Sequence, residues 1–548
     1  MIARCLLRQR TTKTLLFDYI IPDIFEIKPY TLVEVPFSNK KVEAIVTELK
    51  TDSPYANKSI ARILSKGPIL TKTQFEIGKQ ISYEFFSFLP SAIFSFFPVL
   101  NKKDLQEIGS ALSPRLRKKI QKPLLVNGDL EQRENFYLQK IDKASQNLII
   151  LPKIADLERM ERKIKRINPS LKVQLWHSQI PARKKALLWQ KIISAEPILV
   201  LSTRHGLFLP FIDLSTLILD DPSNFAYFED QSPRYNAEAA ARIVGKAYHA
   251  NLIFGDNLPT LQGYAWLKSG KAELVSLKNS LEINTIGSLE SVYGDDSFIE
   301  KFNESRRILV TGYFKEITRI YCSKCDNPLK CARCEADKFL IKERVCLKCY
   351  YPQGITCPIC KSAKLKTGRM NIENIEKKIT SIFTNEASKI TIASFGEISQ
   401  LGKVFDLALV AFFDSFASFP FLNFKIKLIK NILDLQQAGV KSVYLSTLGG
   451  FPDLIEKLIT RDFNKIFLDE LKNRKSEKLP PFYRAIELIG AKEEMMKLNE
   501  IIPYSSWIER RGGEFINFIS HNKTKELQEF YSKHNLSGKL RLDPPEFS

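Results

Sequence analysis

Eight of the nine cysteines lie between Cys322 and Cys360 as four consecutive C-x-x-C pairs: Cys322/Cys325, Cys331/Cys334, Cys346/Cys349 and Cys357/Cys360. A C-x-x-C turn brings two thiolates close enough to grip one tetrahedral ion, so four pairs supply two closed four-cysteine sites. Thiolate then fills every coordination position and leaves none for a reactive water. Two zinc ions are therefore expected, as staples for the fold and not as centres of chemistry. A disulfide framework belongs to an oxidising compartment, and the start MIARCLLRQRTTK lacks the apolar core of a secretory signal. Iron–sulfur ligands usually come at less regular spacings, and a redox C-x-x-C normally occurs once. Cys5 stands apart and reads as a small buried residue.

The chain has 548 residues, enough for about three to five domains, because single cores rarely grow past roughly 250 residues. No stretch reaches the roughly 20 apolar residues of a membrane span. The aromatic run from Tyr83 to Phe97 is broken by Pro90 and reads as packed helix. A soluble protein of a reducing cytoplasm is expected. The formal net charge is +21, from 82 Lys and Arg against 61 Asp and Glu. Such an excess favours a polyanionic partner, since phosphate contacts release counterions. Charge alone does not separate DNA, RNA and ribosome.

Strand-like alternation opens the chain in TLLFDYIIP, TLVEVPF and KVEAIVTEL, which predicts a small β-rich domain ending near Ser65. From Thr71 to Leu100 the pattern turns helical and aromatic, as in a winged-helix-like module. Asn101 to Lys122 is polar and basic, a linker or exposed helix. Then come the apolar runs PLLVNG, NLIILP, KVQLWHS, PILVLST, STLILDD and NLIFGD, each followed by a helix-length segment. That is the pattern of a parallel α/β sheet covered on both faces. The cysteines interrupt before a second α/β stretch with strands in RRILVTGY, KITIASF, FDLALVAFFD and SVYLSTL, and an α+β segment follows from about Arg461.

Two α/β units behind a basic front end suggest a motor ATPase, whose phosphate loop needs G-x-x-x-x-G-K-[ST] after the first strand. The corresponding place reads Gly128-Asp129-Leu130-Glu131-Gln132-Arg133-Glu134. One glycine survives, and Glu134 stands where a hydroxyl would hold Mg²⁺, so carboxylates are expected to repel a triphosphate there. Arg133 replaces the lysine as a charge but not in reach or geometry. The D-E-x-H motif is reduced to Asp220 and Asp221, followed by Pro222 and Ser223. A shorter aspartate misplaces an attacking water by about 1 Å, which costs on the order of 10²-fold in rate.

Together these features resemble the PriA family (primosomal protein N′), the replication-restart helicases, over nearly the whole chain. The block C-x-x-C-x₅-C-x-x-C-x₁₁-C-x-x-C-x₇-C-x-x-C is close to a signature of that family. Other landmarks follow in order: Phe17-Asp18-Tyr19 with Val35-Pro36-Phe37; His177-Ser178, Arg183 and Trp189; Thr203-Arg204 with Phe208, Pro210 and Phe211; Pro233-Arg234-Tyr235 with Ala237. Asp462-Phe463, Glu470-Leu471, Arg474 and Pro480-Pro481-Phe482 resemble the entry to the family's C-terminal domain. Two further motor motifs are missing. An S-A-T-P-S type motif reads Asp256-Asn257-Leu258-Pro259-Thr260, and no arginine remains between Ile432 and Gly439, where the family carries its arginine finger.

The resemblance implies a multidomain α/β protein: a DNA 3′-end-binding domain over 1–66, a winged-helix-like module over 67–105 and a basic linker over 106–120. A RecA-like helicase lobe over 121–285 follows, then a second over 300–460 carrying the zinc-binding insertion 320–362, and an α+β domain over 461–548. It implies that Cys322, Cys325, Cys357 and Cys360 share one zinc and that Cys331, Cys334, Cys346 and Cys349 share the other. It assigns Phe17, Asp18 and, as a looser match, Lys58 to a DNA 3′ end, with an aromatic face for the terminal base, a carboxylate for the 3′-hydroxyl and an ammonium for phosphate. Ser38 stands where the family has glycine. No catalytic residue is expected, Arg133, Asp220 and Asp221 being remnants, and neither ATP nor Mg²⁺ is an expected cofactor. The implied protein is a cytoplasmic, nucleoid-associated monomer that binds forked or gapped DNA. It would nucleate primosome assembly with primosome proteins, single-strand DNA-binding protein and the replicative helicase or its loader. The alternatives are an active, divergent ATP-dependent 3′–5′ helicase using Arg133, Asp220 and Asp221, and a zinc-containing RNA- or ribosome-binding protein on a dead helicase fold.

Overall fold

The computed structural model describes residues 1–8, 16–97, 114–116, 120–229, 231–287, 289–312, 317–324, 329, 339–340, 345–346, 356–357, 360–370, 377, 379–383, 387–398, 401–402, 404–411, 413, 424–447, 451–490, 506–509, 515–521 and 539–542. Backbone contacts divide the chain into two compact units. One is Met1–Leu277 with Asn473–Pro545, the other Lys278–Lys472 with Glu546–Ser548. Among the described residues no helix is long and apolar enough to cross a membrane.

The first unit opens with an antiparallel sheet of five strands, β1 (Ile2–Leu7), β2 (Leu16–Ile20), β3 (Thr31–Phe37), β4 (Lys40–Lys50) and β5 (Arg62–Pro68), in the order β2-β1-β4-β3-β5. Successive side chains of a strand point to opposite faces, and both faces here are apolar. Leu6, Ile45 and Leu32, neighbours in the register, face one cluster, while Cys5, Val46, Val33 and Val35 face the other. The β3–β4 turn needs left-handed backbone, with φ of 44° at Ser38 and 61° at Asn39, which explains why a glycine suits position 38. The first cluster continues into α1 (Lys72–Glu84) and α2 (Leu89–Phe94). Thr71 and Gln74 form a reciprocal capping box that starts α1. These two helices are what the described residues show of the segment 67–105, and most of 106–120 lies outside the described residues.

The same unit carries a seven-stranded parallel sheet. Its strands are β6 (Leu124–Asn127), β7 (Gln146–Ile150), β8 (Val173–Trp176), β9 (Ile198–Ser202), β10 (Leu214–Asp220), β13 (Asn251–Asp256) and β14 (Glu273–Ser276), with a hairpin of β11 (Phe228–Glu229) and β12 (Tyr235–Asn236) beside it. The order is β14-β6-β13-β10-β7-β9-β8. Every residue of β7, β9 and β10 is buried, as the continuous apolar runs predict. Five helices cover the faces: α3 (Leu130–Gln139), α4 (Ile154–Ile167), α5 (Ala182–Ile193), α6 (Ala237–Tyr248) and α7 (Leu261–Lys268). Helix α4 buries Leu157, Met160 and Ile164 along one stripe, and each such aliphatic side chain contributes about 1.5–3 kcal/mol. Trp189 of α5 is 1% exposed and its indole N–H donates to the Phe96 carbonyl at 3.0 Å, fastening the aromatic segment after α2 to the parallel sheet.

The second unit is a five-stranded parallel sheet of β15 (Glu282–Ile286), β16 (Ile308–Gly312), β21 (Ile390–Ser394), β22 (Leu407–Val410) and β23 (Ser442–Ser446), in the order β15-β23-β22-β16-β21. Helices α8 (Asp296–Glu304), α9 (Phe424–Leu433) and α10 (Pro452–Thr460) accompany it, and α11 (Asn464–Ser476) follows. Between β16 and β21 the cysteine segment forms two ribbons, β17 (Ile317–Cys322) with β20 (Leu365–Met370), and β18 (Phe339–Leu340) with β19 (Val345–Cys346). The chain ends in a four-stranded antiparallel sheet of β24 (Arg484–Gly490), β25 (Ser506–Glu509), β26 (Phe515–His521) and β27 (Lys539–Leu542).

Candidate functional site

Of the residues assigned to a DNA 3′ end, Phe17 and Asp18 sit on β2, an edge strand, and Lys58 lies in the segment beside it. Phe17 and Tyr19 face the inner cluster, where the Phe17 ring packs against Phe37 at 5.1 Å and Tyr19 is 3% exposed. Asp18 alternates to the opposite face, opposite Arg4 in the register. Its carboxylate accepts from Arg4 Nε at 3.0 Å, Lys50 Nζ at 3.4 Å and Ser53 Oγ at 2.7 Å. Only 4% of the Asp18 side chain is exposed. Burial alone would raise its pKa, but the bonds from Ser53 and Arg4 and the charges of Arg4 and Lys50 hold it below the usual aspartate range. Lys58 is exposed, and its carbonyl accepts from the Ile20 amide at 2.9 Å, which lays the 58–60 segment beside the end of β2. The fold therefore brings Asp18 and the Lys58 backbone to one strand end, while it turns the Phe17 ring to the other face.

At the carboxyl ends of β6, β10 and β13, where open α/β sheets bind ligands, the remnants of the phosphate loop converge. Arg133, 1% exposed, donates from Nε to Asp220 Oδ1 at 2.9 Å and from Nη2 to Oδ2 at 3.4 Å. Its Nη1 reaches the Gly128 carbonyl at 2.6 Å and Asn257 Oδ1 at 3.4 Å. Tyr137 adds a hydroxyl bond to Asp220 Oδ1 at 2.5 Å. Burial would lower the guanidinium's pKa, but Asp220 and Tyr137 hold it well above its ordinary value, and burial raises the Tyr137 phenol. Both groups stay protonated and donate.

The same geometry corrects the expectation for Glu134. Rather than facing a phosphate, its carboxylate lies against α4 and bonds Arg159 and, at 2.9 Å, Lys163. The reason is helical phase: Arg133 points inward to β10, so its neighbour points sideways to α4. The N-terminus of α3, which would cradle a phosphate, is capped by the Asp129 carboxylate accepting from the Gln132 amide at 3.0 Å. Asp220 is taken by Arg133 and Tyr137, and Asp221 accepts from Asn224 Nδ2 at 2.7 Å. Asn257 belongs to the altered motif Asp256–Thr260, whereas no motif marks Tyr137, although Gly255 in the strand run NLIFGD signals a close approach. A Cβ there would lie 1.5 Å from the Tyr137 hydroxyl oxygen.

In the cysteine segment, β17 pairs antiparallel with β20, Cys322 opposite Leu365, and Cys322 comes close to Cys357 and Cys360. The Sγ atoms of Cys322, Cys357 and Cys360 lie within 4.8 Å of one another, with Cys322 and Cys360 at 3.3 Å. The Lys324 amide donates to Cys322 Sγ at 3.4 Å, and a left-handed Lys361 with φ of 58° tightens the turn after Cys360. Three buried or half-buried soft donors in this arrangement could hold a metal ion. Cys325, Cys331, Cys334 and Cys349 lie outside the described residues, and of Cys346 only the backbone, in β19, is described. Cys5 is buried in the N-terminal sheet, and burial pushes its thiol up to about 12.

The profile of the PriA 3′DNA-binding domain (3′BD) matches residues 10–98. A replication restart protein PriA from Thermotoga maritima is 22% identical over 473 residues, covering 73% of this chain and 63% of its own. The replication restart protein PriA of Rickettsia conorii is 24% identical over 565 residues, covering 88% of this chain and 86% of its own. Among solved structures, RecG bound to a three-way DNA junction covers 74% of this chain and 47% of its own, at 11% identity and a TM-score of 0.37.

Proposed function

We propose that the chain, a divergent member of the PriA family, binds forked or gapped DNA near 3′ ends and nucleates primosome assembly without hydrolysing ATP. The observation that carries this reading is the contrast between a matched DNA-end domain over residues 10–98 and a phosphate site filled by its own Arg133. The net charge of +21 supports a polyanionic partner. In this reading the domain limits are those set out from the sequence, and the protein works as a cytoplasmic, nucleoid-associated platform. It recruits primosome proteins, single-strand DNA-binding protein and the replicative helicase or its loader.

Two zincs staple the insertion, one held by Cys322, Cys325, Cys357 and Cys360, the other by Cys331, Cys334, Cys346 and Cys349. The cluster of Cys322, Cys357 and Cys360 supports the first. Metal analysis is expected to give two zincs per chain, and chelation to disorder the insertion and abolish assembly, since such sites bind with about 10–16 kcal/mol in zinc-finger peptides. Unchanged folding and DNA binding after chelation would remove zinc from the account.

The deciding experiment pairs an ATPase assay, with and without forked DNA, with competition between a 3′-ended fork and structured RNA at fixed salt. We expect no DNA-stimulated turnover and a preference for the fork. Turnover abolished by Asp220→Ala would establish an active helicase, and a preference for RNA would establish a different partner.

A further inference from the structure

The Asp18 carboxylate is assigned to a terminal hydroxyl, yet a hydroxyl already sits on it. Ser53 Oγ donates to Asp18 Oδ2 at 2.7 Å, Lys50 Nζ approaches the same oxygen at 3.4 Å, and Arg4 holds Oδ1 at 3.0 Å. With 4% of the side chain exposed, no ligand reaches Oδ2 while Ser53 is in place. Ser53 belongs to the turn after β4, where Thr51, Asp52, Pro54 and Tyr55 are exposed. The bonds that shape this turn are local: the Ser53 amide to Asp52 Oδ1 at 2.8 Å, the Tyr55 amide to Ser53 Oγ at 3.3 Å, and the Ala56 amide to the Ser53 carbonyl at 3.3 Å. Lifting Ser53 therefore exchanges one alcohol for another on the same acceptor. Tyr55, 81% exposed, adds an aromatic face beside the opening.

We propose that residues 51–57 form a latch over the 3′-end pocket, in which the Ser53 hydroxyl holds the place on Asp18 that a terminal 3′-hydroxyl takes. This rests on the reading of Asp18 as a 3′-end residue. Arg4 and Lys50 keep the carboxylate ionised throughout, so the exchange needs no proton transfer. A DNA end opens the latch only when it brings a hydroxyl to replace the one it displaces, and an end without that hydroxyl leaves it shut. Ser53 thus competes with the DNA end for Asp18 and lowers both the affinity and the preference for hydroxyl ends.

The test compares binding of a primer–template junction ending in a 3′-hydroxyl with the same junction ending in a 2′,3′-dideoxynucleotide, by fluorescence anisotropy. Ser53→Ala is expected to raise the preference for the hydroxyl end about tenfold, the scale of one hydrogen bond to a charged group. Ser53→Thr, which keeps the hydroxyl, is expected to restore the original ratio, and Asp18→Ala to erase the gain. A preference present in the unaltered protein, lost in Asp18→Ala and unchanged in Ser53→Ala overturns the latch but keeps end recognition. Equal binding of both ends by every variant overturns end recognition and the latch with it. In the unaltered protein, hydrogen exchange at Tyr55 and Ala56 is expected to quicken on binding the hydroxyl end and not the dideoxy end. Slower exchange with the hydroxyl end also overturns the latch.

Discussion

Two arginine–aspartate pairs of the first unit, one in the N-terminal antiparallel sheet and one at the carboxyl end of the seven-stranded parallel sheet, use the same groups at nearly the same distance. Arg4 and Asp18 meet at 3.0 Å, Arg133 and Asp220 at 2.9 Å. What differs is cover. The Arg4 side chain is 38% exposed and lies next to a surface turn, whereas that of Arg133 is 1% exposed and shares its aspartate with a buried tyrosine. Arg4 keeps part of its hydration, and Asp18, though only 4% exposed, retains Lys50 and Ser53 when Arg4 is lost, so this pair contributes about 0–1 kcal/mol. A buried pair is costly to break from one side, because the partner is left as an unpaired charge in the core. Identical chemistry gives a gate in one place and a rivet in the other.

The largest expected effect tests the rivet. Arg133→Ala should destabilise the protein by about 3–5 kcal/mol, read as a fall in the melting transition, while Arg4→Ala should cost no more than about 1 kcal/mol. Replacing both partners, as Arg133→Met with Asp220→Leu, should recover most of the loss. Equal falls for Arg133→Ala and Arg4→Ala would break the comparison.

A third carboxylate sharpens it. Glu238, 8% exposed at the start of α6, accepts from the Thr260 hydroxyl at 2.7 Å. Burial pushes it from the usual 4.5 up to about 7, against the Thr260 bond and the Arg242 charge. A raised carboxyl favours the fold at low pH, and that stability is lost as pH rises from the unfolded value through the folded one. Glu238→Gln should therefore stabilise near pH 8 by up to about 3 kcal/mol and be neutral near pH 4, in paired thermal scans. A pH-independent difference would show that Glu238 does not titrate as its burial requires.

Gly255→Ala comes next. Its new methyl would collide with Tyr137 and should cost about 1–3 kcal/mol, while Gly270→Ala, which meets no atom within 4 Å but has φ of 68°, should cost less than that. A loss at Gly255 no larger than that at Gly270 would mean that the tyrosine yields to the methyl. The smallest effect is at the gate: Ser53→Ala should raise the Asp18 titration midpoint, because the hydroxyl bond helps to hold it low, measured on protein with ¹³C-labelled aspartate. The stability tied to that lowered value is present above the ordinary aspartate range and lost as pH falls through it. A midpoint unmoved by Ser53→Ala would mean that the hydroxyl bond seen in the fold is not made in solution.

All six apolar runs of the first parallel sheet were legible, because a strand buried on both faces has little choice but to be continuously aliphatic. Strands β14 and β15 were not, since ELVS and EINTI carry too few apolar residues to stand out from loop. The sequence pattern gives Glu134 the part of repelling phosphate, whereas the inward position belongs to Arg133, because the phase of α3 is fixed by contacts with β10 and α4 that no local pattern records. Likewise Asp18 could be picked out by its neighbours Phe17 and Tyr19, but Ser53, 35 positions away, reaches it only through the pairing of β1 with β2 and β4. The spacing within each C-x-x-C pair does not record that Cys322 lies beside Cys357 and Cys360; Cys322 and Cys360, 38 positions apart, meet beside the pairing of β17 with β20.

Arg133 has one more property that a diffusible occupant of the same cleft lacks. A ligand stabilises its site by an amount that rises with the logarithm of its free concentration, so a protein cemented by nucleotide softens when the cell runs short of it. A side chain on the adjoining helix cannot be diluted. The parallel sheet of the first unit is held by a tie written into the polypeptide, and its firmness is the same in a starving cell as in a growing one.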